Sequence, residues 1–246
     1  MRLFTSEFGH SYESYSFGYC NYAKYEAGDK LWEIYKNGYL PYSGSFEKKG
    51  IFYMARSARI NLKNFALNSE NRRIAKRFDG KFEKEVISLS KFNWKDEKFI
   101  SFCAEYFTVR HGKKVMPKER LNFLLEWGLI SHVVVYKDNG IPRAYVFLVS
   151  DTQMAHFWFS FYDLELIKKS LGMYLMIDAA RDAADTGKKY LYLGTVYAEK
   201  ALYKTNFDNL EYWNGSEWSW DIKKLKLRSR TDSKRAVNII DEWKEI

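Results

Sequence analysis

The apolar and polar positions of this chain change their period along its length. Three short runs in its middle, each rich in β-branched and aromatic residues, predict β-strands at residues 131–137, 143–149 and 154–162. Asp138-Asn139-Gly140 between the first two is typical of a tight hairpin turn. A helical period then extends from Ser170 through Ala184 to a stop at Gly187, and the apolar run at 189–194 predicts a buried strand. We therefore expect an antiparallel meander, then a helix, then a strand parallel to the last strand of the meander.

The rest of the chain has a less regular pattern. Residues 1 to about 45 are rich in Tyr, Ser and Gly and contain one helical segment, and two short strands and a capped, basic helix follow. These elements are expected at 29–37 (ended by Gly38), 50–56, 58–62 and 69–78, and further helices at 96–109, 118–127 and 229–246. We predict an α+β protein with a small N-terminal α+β transferase unit over residues 1–78 and a second domain over residues 79–246.

Composition and charge narrow the functional classes. Of the 246 residues, 46% are apolar and 40 Lys and Arg exceed 31 Asp and Glu, which gives a net charge of +9 and a pI near 9.2. Such a surplus favours nucleic acid or acidic partners, although a basic surface that serves solubility has the same composition. Cys20 and Cys103 are too few for a disulfide framework, and no apolar stretch is long enough for a signal peptide or a membrane span. We expect a cytoplasmic protein without membrane contact.

One set of motifs follows the predicted meander. Its members are Ser170-Leu171-Gly172-Met173-Tyr174, Tyr192-Leu193-Gly194, Tyr203-Lys204, Phe207 and Gly215-Ser216-Glu217-Trp218. In this order the set resembles the C-terminal domain of arginyl-tRNA-protein transferases and their bacterial leucyl-transferring relatives. Phe65, Ser69 and Arg72-Arg73 resemble an N-terminal element of the same family, with the spacing one residue shorter. The resemblance covers roughly residues 15 to 221.

The resemblance implies both a fold and a reaction. The order of elements is similar to that of the GNAT fold, in which a mixed, splayed β-sheet flanked by helices opens a cleft for the acyl donor and the acceptor amine. It implies an aminoacyl-transferase that adds arginine or leucine from a charged tRNA to proteins beginning with Asp or Glu, which would route them to N-degron (N-terminal-rule) degradation. Aminoacyl-tRNA is then a co-substrate, no cofactor is needed, and a monomer is the default expectation.

The chain departs from that family before the basic helix. Family members commonly carry a cysteine-rich C-x-x-C segment there, whereas this chain has Tyr53-Met54-Ala55-Arg56-Ser57-Ala58-Arg59. We therefore predict no metal site, and the transferred amino acid and the accepted N-terminal residue stay open. Arg56 and Arg59 lie three residues apart in a predicted strand, so they should face opposite sides, and one of them is a candidate for binding an acidic N-terminal side chain.

The remaining candidate residues follow from the chemistry of the predicted reaction. Arg72, Arg73, Lys76 and Arg77 form two adjacent stripes on one helical side, which suits the phosphates of tRNA but also an ordinary solvated face. Aminolysis of an ester requires an aligned amine, a proton acceptor and oxyanion stabilisation. Asp163, at the end of a predicted strand, is a candidate for orienting the ammonium or relaying its proton, and also for a simple turn cap. The resemblance adds Tyr192 and Lys204 as catalytic candidates, and Gly172, Tyr174, Tyr197 and Tyr203 as substrate-binding candidates.

Three other functions stay open at this stage. An acetyl-CoA dependent N-acetyltransferase on the same fold would carry a glycine-rich pyrophosphate loop, and Lys168-Lys169-Ser170-Leu171-Gly172-Met173 lacks the first glycine of that pattern. A peptidoglycan-bridge enzyme also uses aminoacyl-tRNA, but such enzymes usually contain two of these domains. A catalytically silent tRNA-binding protein would retain the basic helix without turnover.

Overall fold

Two β-sheets organise the computed structural model, which describes residues 1–13, 15–44, 49–112 and 115–232. The strands are β1 Arg2–Ser11, β2 Ser16–Lys24, β3 Tyr39–Pro41, β4 Ile51–Met54, β5 Ser57–Asn61, β6 Glu83–Ser88, β7 His132–Asp138, β8 Ile141–Ser150, β9 Met154–Tyr162, β10 Tyr190–Thr195, β11 Leu210–Trp213 and β12 Trp218–Ser219. The helices are α1 Leu31–Lys36, α2 Ser69–Phe78, α3 Glu97–His111, α4 Lys118–Glu126, α5 Leu171–Asp185 and α6 Ile222–Thr231, and two 3-10 helices lie at Leu164–Lys169 and Glu199–Thr205.

The N-terminal sheet has four antiparallel strands in the order β1-β2-β4-β3. Helix α1 packs against this sheet through Ile34 and Tyr35, which are fully buried. Gly38 follows α1 with φ +81°, a left-handed conformation that glycine adopts without strain. The apolar core of this sheet continues into Met154 and Tyr192 of the second sheet, so the two sheets share one packed boundary.

The second sheet has eight strands in the order β12-β11-β5-β10-β9-β8-β7-β6. Strands β7 to β9 form the predicted antiparallel meander, β6 extends it by pairing antiparallel with β7, and β10 joins β9 in parallel. On the other side of β10, β5 pairs antiparallel with both β10 and β11. Strand β5 therefore inserts into the larger sheet although it lies within the first 78 residues. The chain therefore passes from the N-terminal sheet to the larger sheet between β4 and β5. The domain boundary at residue 78 stays a prediction.

Helices α2 and α5 cover one region of the larger sheet. Asn68 begins α2 because its side-chain oxygen accepts the Asn71 amide hydrogen at 2.9 Å. The apolar side of α2, including Ile74 and Phe78, is buried and packs against α5. Helix α5 contributes most of its residues to the core and packs against β9 and β10. The helix therefore begins beside the carboxyl ends of those two strands.

The predicted elements from α1 through β10 occur in the predicted order, and other regions differ from the prediction. Strands β1 and β2 form a long hairpin ahead of α1, where no element was expected, and β3, β6, β11 and β12 were not predicted. Helix α6 begins at Ile222 rather than Ser229, because Asp221 caps it by accepting the Lys224 amide hydrogen at 2.9 Å. The rest of the predicted 229–246 helix, from residue 233 onward, lies outside the described residues.

Candidate active site

The central feature is the point where β9 and β10 separate. The two parallel strands pair only from Met154 to His156 and from Tyr190 to Tyr192. Beyond that point β9 stays paired with β8 up to Tyr162, while β10 stays paired with β5 up to Thr195. A wedge therefore opens between the carboxyl ends of two parallel strands, where open sheets of this kind commonly bind ligands.

Lys204 reaches into this wedge from the second 3-10 helix. Its Nζ donates to the Thr195 carbonyl at 2.8 Å, which places the amine beside β10. Loss of hydration lowers the pKa of Lys204 to about 8, so a substantial share of the amine is neutral at mildly alkaline pH. Ser57, opposite Thr195 in the β5–β10 ladder, has a buried hydroxyl without a hydrogen-bond partner among the described residues.

Gly194 makes room for these groups. The ladder between β10 and β5 is irregular between Tyr192 and Gly194, and Gly194 has φ +79°. A methyl group on its α-carbon would lie 3.6 Å from Lys204 Nζ and 3.7 Å from His156 Nε2. Two nitrogens thus face the same small space over the glycine. This space and the left-handed backbone explain why the Tyr192-Leu193-Gly194 motif ends in a glycine.

The second nitrogen at the wedge belongs to the imidazole of His156. Its ring is buried, and Nδ1 lies 2.9 Å from the hydroxyl of Tyr35 on α1. Burial, and secondly the charge of Lys204, lowers the pKa of His156 to about 3. The imidazole is therefore neutral throughout the physiological range.

Tyr192 packs against Tyr35 and accepts a hydrogen bond from Arg59. Its ring centroid lies 4.9 Å from that of Tyr35, and its hydroxyl accepts from Arg59 Nη1 at 3.2 Å. Burial raises the pKa of Tyr192 to about 12, so the phenol stays protonated. Arg59 itself is buried and donates from Nε to Glu211 at 2.6 Å. The structure therefore brings Tyr192 and Lys204 to the wedge and places Arg59 behind it.

Arg56 lies at a different position, just before β5. Its Nε donates to the Val196 carbonyl at 2.9 Å, and its guanidinium pairs with Asp232 at the end of α6. The same guanidinium lies 4.6 Å from the ring centroid of Tyr197, and the Tyr197 hydroxyl accepts the Arg56 amide hydrogen at 2.9 Å. Arg56 and Arg59 therefore have separate partners, and the Tyr197 ring, 48% exposed, is the accessible member of the first group.

Asp163 directly follows β9 but does not join the Lys204 cluster through any described hydrogen bond. Its Oδ2 accepts from Arg143 Nη1 at 2.8 Å, and its Oδ1 accepts the Glu165 amide hydrogen at 2.9 Å. It lines a cavity together with Tyr106 and Tyr162. The capping role anticipated for Asp163 is thus present in the structure, and its role toward a substrate ammonium stays a prediction.

The Ser170–Tyr174 motif forms the start of α5. A methyl group on Gly172 would lie 2.6 Å from the Tyr162 hydroxyl, so the bare α-carbon lets this hydroxyl approach the helix. Tyr174 is buried, with its ring centroid 5.1 Å from that of Phe78 on α2. The side chain of Tyr203, by contrast, is 48% exposed. The structure therefore places Tyr203 at the surface near the wedge and Tyr174 in the core.

The predicted tRNA-binding residues share one exposed side of α2. Arg72, Arg73, Lys76 and Arg77 are all exposed. Arg73 forms an ion pair with Glu70 at 2.6 Å, and Arg72 donates to the Leu67 carbonyl. At the start of the helix, Asn68 and Asn71 each donate to the Asn206 carbonyl at 3.0 Å, two residues after Lys204. The basic side of α2 thus begins close to the segment that carries Lys204.

Two residues of the wedge were not among the predicted site residues. His156 lies within a predicted buried strand, where an imidazole among apolar neighbours is a recognisable anomaly. Tyr35 carries no comparable mark, because it is one of 19 tyrosines and is separated from His156 by 121 residues.

The chain is similar to known proteins, both to a family model and to individual sequences. The family described as Acetyltransferase (GNAT) domain matches residues 119–205, which include the meander, α5, β10 and Lys204. A protein named aspartate/glutamate leucyltransferase from Dinoroseobacter shibae is 31% identical over 180 residues, covering 66% of this chain and 61% of that protein. A protein of the same name from Maricaulis maris is 24% identical over 200 residues, covering 74% and 76%. The resemblance to leucyl-transferring relatives and the GNAT-like fold class are confirmed.

The chain spans about three fifths of the length of the Dinoroseobacter relative. Among solved structures, it is similar to the C-terminal domain of a putative lysylphosphatidylglycerol synthetase from Agrobacterium fabrum, at 16% identity and a TM-score of 0.45, covering 62% of this chain and 50% of that one. Another is L-PGS from Bacillus licheniformis, at 15% identity and a TM-score of 0.43, covering 57% and 44%. Among the described residues, no helix has the length and apolar content to cross a membrane.

Proposed function

We propose that this chain is an aminoacyltransferase that moves an amino acid from a charged tRNA to the α-amine of a protein beginning with Asp or Glu. The observation that carries the proposal is the similarity to proteins named aspartate/glutamate leucyltransferase. The GNAT-domain match at residues 119–205 includes Gly194 and Lys204 of the wedge. Those names favour leucine over arginine as the transferred residue. Aminoacyl-tRNA is the co-substrate, no cofactor is needed, and the cytoplasm is the compartment that supplies charged tRNA.

The chemistry of the wedge supports this reaction class. The ester that joins an amino acid to the ribose of tRNA is already activated, so the enzyme must position the attacking amine and accept a proton from it. Lys204, with its pKa lowered to about 8, is suited to accept that proton. In the proposed step the amine nitrogen bonds to the carbonyl carbon, and the bond from that carbon to the ribose oxygen breaks. The ribose oxygen takes up the proton as it leaves.

The surface around the wedge supports a tRNA donor. The exposed basic side of α2 would contact backbone phosphates, which requires no base recognition. Asn68 and Asn71 tie the start of this helix to the segment after Lys204. The acceptor stem would thus follow α2 while the 3′ end enters the wedge, with Tyr203 or Tyr197 available to stack on the terminal base. The backbone amide of Gly172, at the start of α5, would approach a phosphate or ester oxygen at the 3′ end of the tRNA, because amides at a helix N-terminus favour anionic oxygen.

A transfer assay tests the proposal. Purified protein is incubated with radiolabelled Leu-tRNA or Arg-tRNA and with peptides that begin with Asp, Glu or Ala. Label is expected on the Asp and Glu peptides, with Leu-tRNA as the better donor. Acetylation of the same peptides from acetyl-CoA, without transfer from either tRNA, would overturn the proposal in favour of an N-acetyltransferase. Binding of tRNA without turnover would favour the catalytically silent alternative.

Asp163 is tested in the same assay with two variants. Asp163→Asn retains an oxygen that can accept from the Glu165 amide but loses the negative charge, whereas Asp163→Ala loses both. If Asp163 orients the substrate ammonium, both variants bind tRNA normally and transfer poorly. If it only caps the 3-10 helix, Asp163→Asn transfers at the wild-type rate.

A further inference from the structure

Two side-chain nitrogens lie close to the α-carbon of Gly194. Lys204 Nζ and His156 Nε2 would each lie less than 4 Å from a methyl group at that position, at 3.6 and 3.7 Å. The two nitrogens come from different elements, since Lys204 belongs to the 3-10 helix Glu199–Thr205 and His156 to β9. Separate parts of the fold therefore hold the two nitrogens beside Gly194.

The hydrogen bond from Tyr35 determines which imidazole nitrogen carries the proton. The Tyr35 side chain is fully buried, and Nδ1 of His156 is the hydrogen-bond partner that the described residues provide for its hydroxyl. A buried hydroxyl that does not donate loses a hydrogen bond, so Tyr35 donates its proton and Nδ1 accepts. A neutral imidazole has one N–H, which must then lie on Nε2 and face the space over Gly194.

The two nitrogens consequently have different chemical properties. The imidazole stays neutral because its surroundings disfavour the imidazolium, so His156 Nε2 offers a hydrogen-bond donor and no base. Lys204 offers the proton acceptor. Pairs of groups whose environments move their protonation equilibria apart are typical of sites that divide acid and base roles, and a neutral histidine that polarises a carbonyl is a known arrangement.

We propose that His156 is a catalytic residue whose Nε2–H binds the carbonyl oxygen of the aminoacyl ester in the space over Gly194, with Tyr35 as the positioning residue. The inference rests on the proposed function. When the amine attacks, an electron pair moves onto the carbonyl oxygen, and the Nε2–H stabilises the resulting negative charge. Lys204 accepts the proton from the amine. The electron pair returns to re-form the carbonyl group when the bond to the ribose oxygen breaks. Lys204 gives its proton to that oxygen.

Substitution of His156 tests the donor. His156→Met removes the donor in an unbranched apolar side chain, whereas His156→Gln keeps an N–H donor at a comparable distance from the backbone. With Leu-tRNA and an Asp peptide, we expect His156→Met to lower kcat about 10²- to 10³-fold, the usual loss for one oxyanion donor. His156→Gln should recover at least about tenfold of that loss by the same reasoning. KM for both substrates should change little, because the interaction forms in the transition state.

The tautomer is tested without any activity measurement. Nitrogen-15 NMR of the wild-type imidazole should show the Nε2–H tautomer of His156, with no titration between pH 5 and pH 9. Tyr35→Phe should convert this resonance to a mixture of tautomers and lower kcat, while the pH dependence that arises from Lys204 is retained. These measurements on the wild-type protein keep the inference testable even if the His156 variants fail to fold.

The failures can be told apart. A wild-type protein that transfers no amino acid from any charged tRNA overturns the proposed function and this role with it. A wild-type protein that transfers leucine, combined with a folded His156→Met variant of unchanged kcat, overturns the role of His156 alone. An Nδ1–H tautomer, or titration near pH 6.5, overturns the donor assignment whatever the activity.

Discussion

The guanidinium of Arg59 and the carboxylate of Glu211 form a buried ion pair, with 2.6 Å between Nε and Oε2. The guanidinium lies between two aromatic rings, 3.8 Å from the centroid of Tyr190 and 3.9 Å from that of Trp218. The other carboxylate oxygen accepts from Asn61 Nδ2 at 3.1 Å. This pair connects strands β5, β10, β11 and β12 directly behind the wedge. The ion pair gives Arg59 a structural role, whereas the sequence indicated it only as a substrate-binding candidate.

We expect Arg59→Met to destabilise the fold strongly. The substitution leaves the Glu211 carboxylate buried and unpaired, which costs about 3–5 kcal/mol in comparable cases. Urea unfolding should show this loss, and Arg73→Met, which breaks an exposed pair with Glu70, should leave stability unchanged. Retained stability together with a raised KM for the acceptor peptide would instead support the substrate-binding role of Arg59.

Gly38 offers a test of packing at the boundary between the two sheets. A methyl group on this glycine would lie 2.3 Å from the Trp213 indole, and the backbone has φ +81°. Gly128 is a matched control, because it has φ +83° and no atom within 4 Å of the added methyl group. Both alanine variants should lose about 1–2 kcal/mol from the left-handed backbone. Gly38→Ala should lose about 1–3 kcal/mol more from overpacking, and equal losses in urea unfolding would contradict this.

Periodicity predicted the elements that bury one face or both faces in the core. The meander, α5 and β10 have clear periods because the larger sheet and its helices form a continuous apolar core. Strands β1 and β6 escaped prediction for the opposite reason: β1 is almost wholly exposed, and β6 is a mostly exposed strand at the end of the sheet. Their residues show no alternation, since no single face is buried.

The site could be predicted only in part. Gly194 and Lys204 belong to recognisable motifs. The motif alone did not show that a side chain at position 194 would approach Lys204 and His156. Tyr35 on α1 is hydrogen-bonded to His156 on β9 only through the tertiary packing of these two elements. No local sequence pattern encodes a contact across 121 residues. Arg59 was visible in the sequence, but its partner Glu211 becomes apparent only from the pairing of β5 with β11.

The protonation state of Lys204 should govern the pH dependence of transfer. Burial lowers its pKa to about 8, so the neutral amine that accepts a proton is depleted below pH 8 and predominates above it. We expect kcat/KM to rise with pH to a plateau, with a midpoint near pH 8 in the pH-rate profile. Lys204→Met should abolish this rise and lower kcat. Lys200→Met, an exposed lysine on the same 3-10 helix, should retain both the rise and the rate.

The basic side of α2 should determine how salt affects tRNA binding. Each phosphate contact releases counterions, so a contact that is lost lowers the slope of log K against log salt by about 0.7 to 0.9. A variant with Arg72→Ala and Lys76→Ala should therefore bind tRNA more weakly and with a slope smaller by about 1.4 to 1.8.

A control variant with Lys91→Ala and Lys95→Ala removes the same charge from two exposed positions outside α2. If α2 contacts the acceptor stem, the two double variants differ in slope, because only one of them removes phosphate contacts. If the protein attracts tRNA through its net charge of +9 alone, both variants weaken binding equally. Fluorescence anisotropy with labelled tRNA at several salt concentrations measures both slopes, and equal slopes would remove α2 from the proposed binding surface.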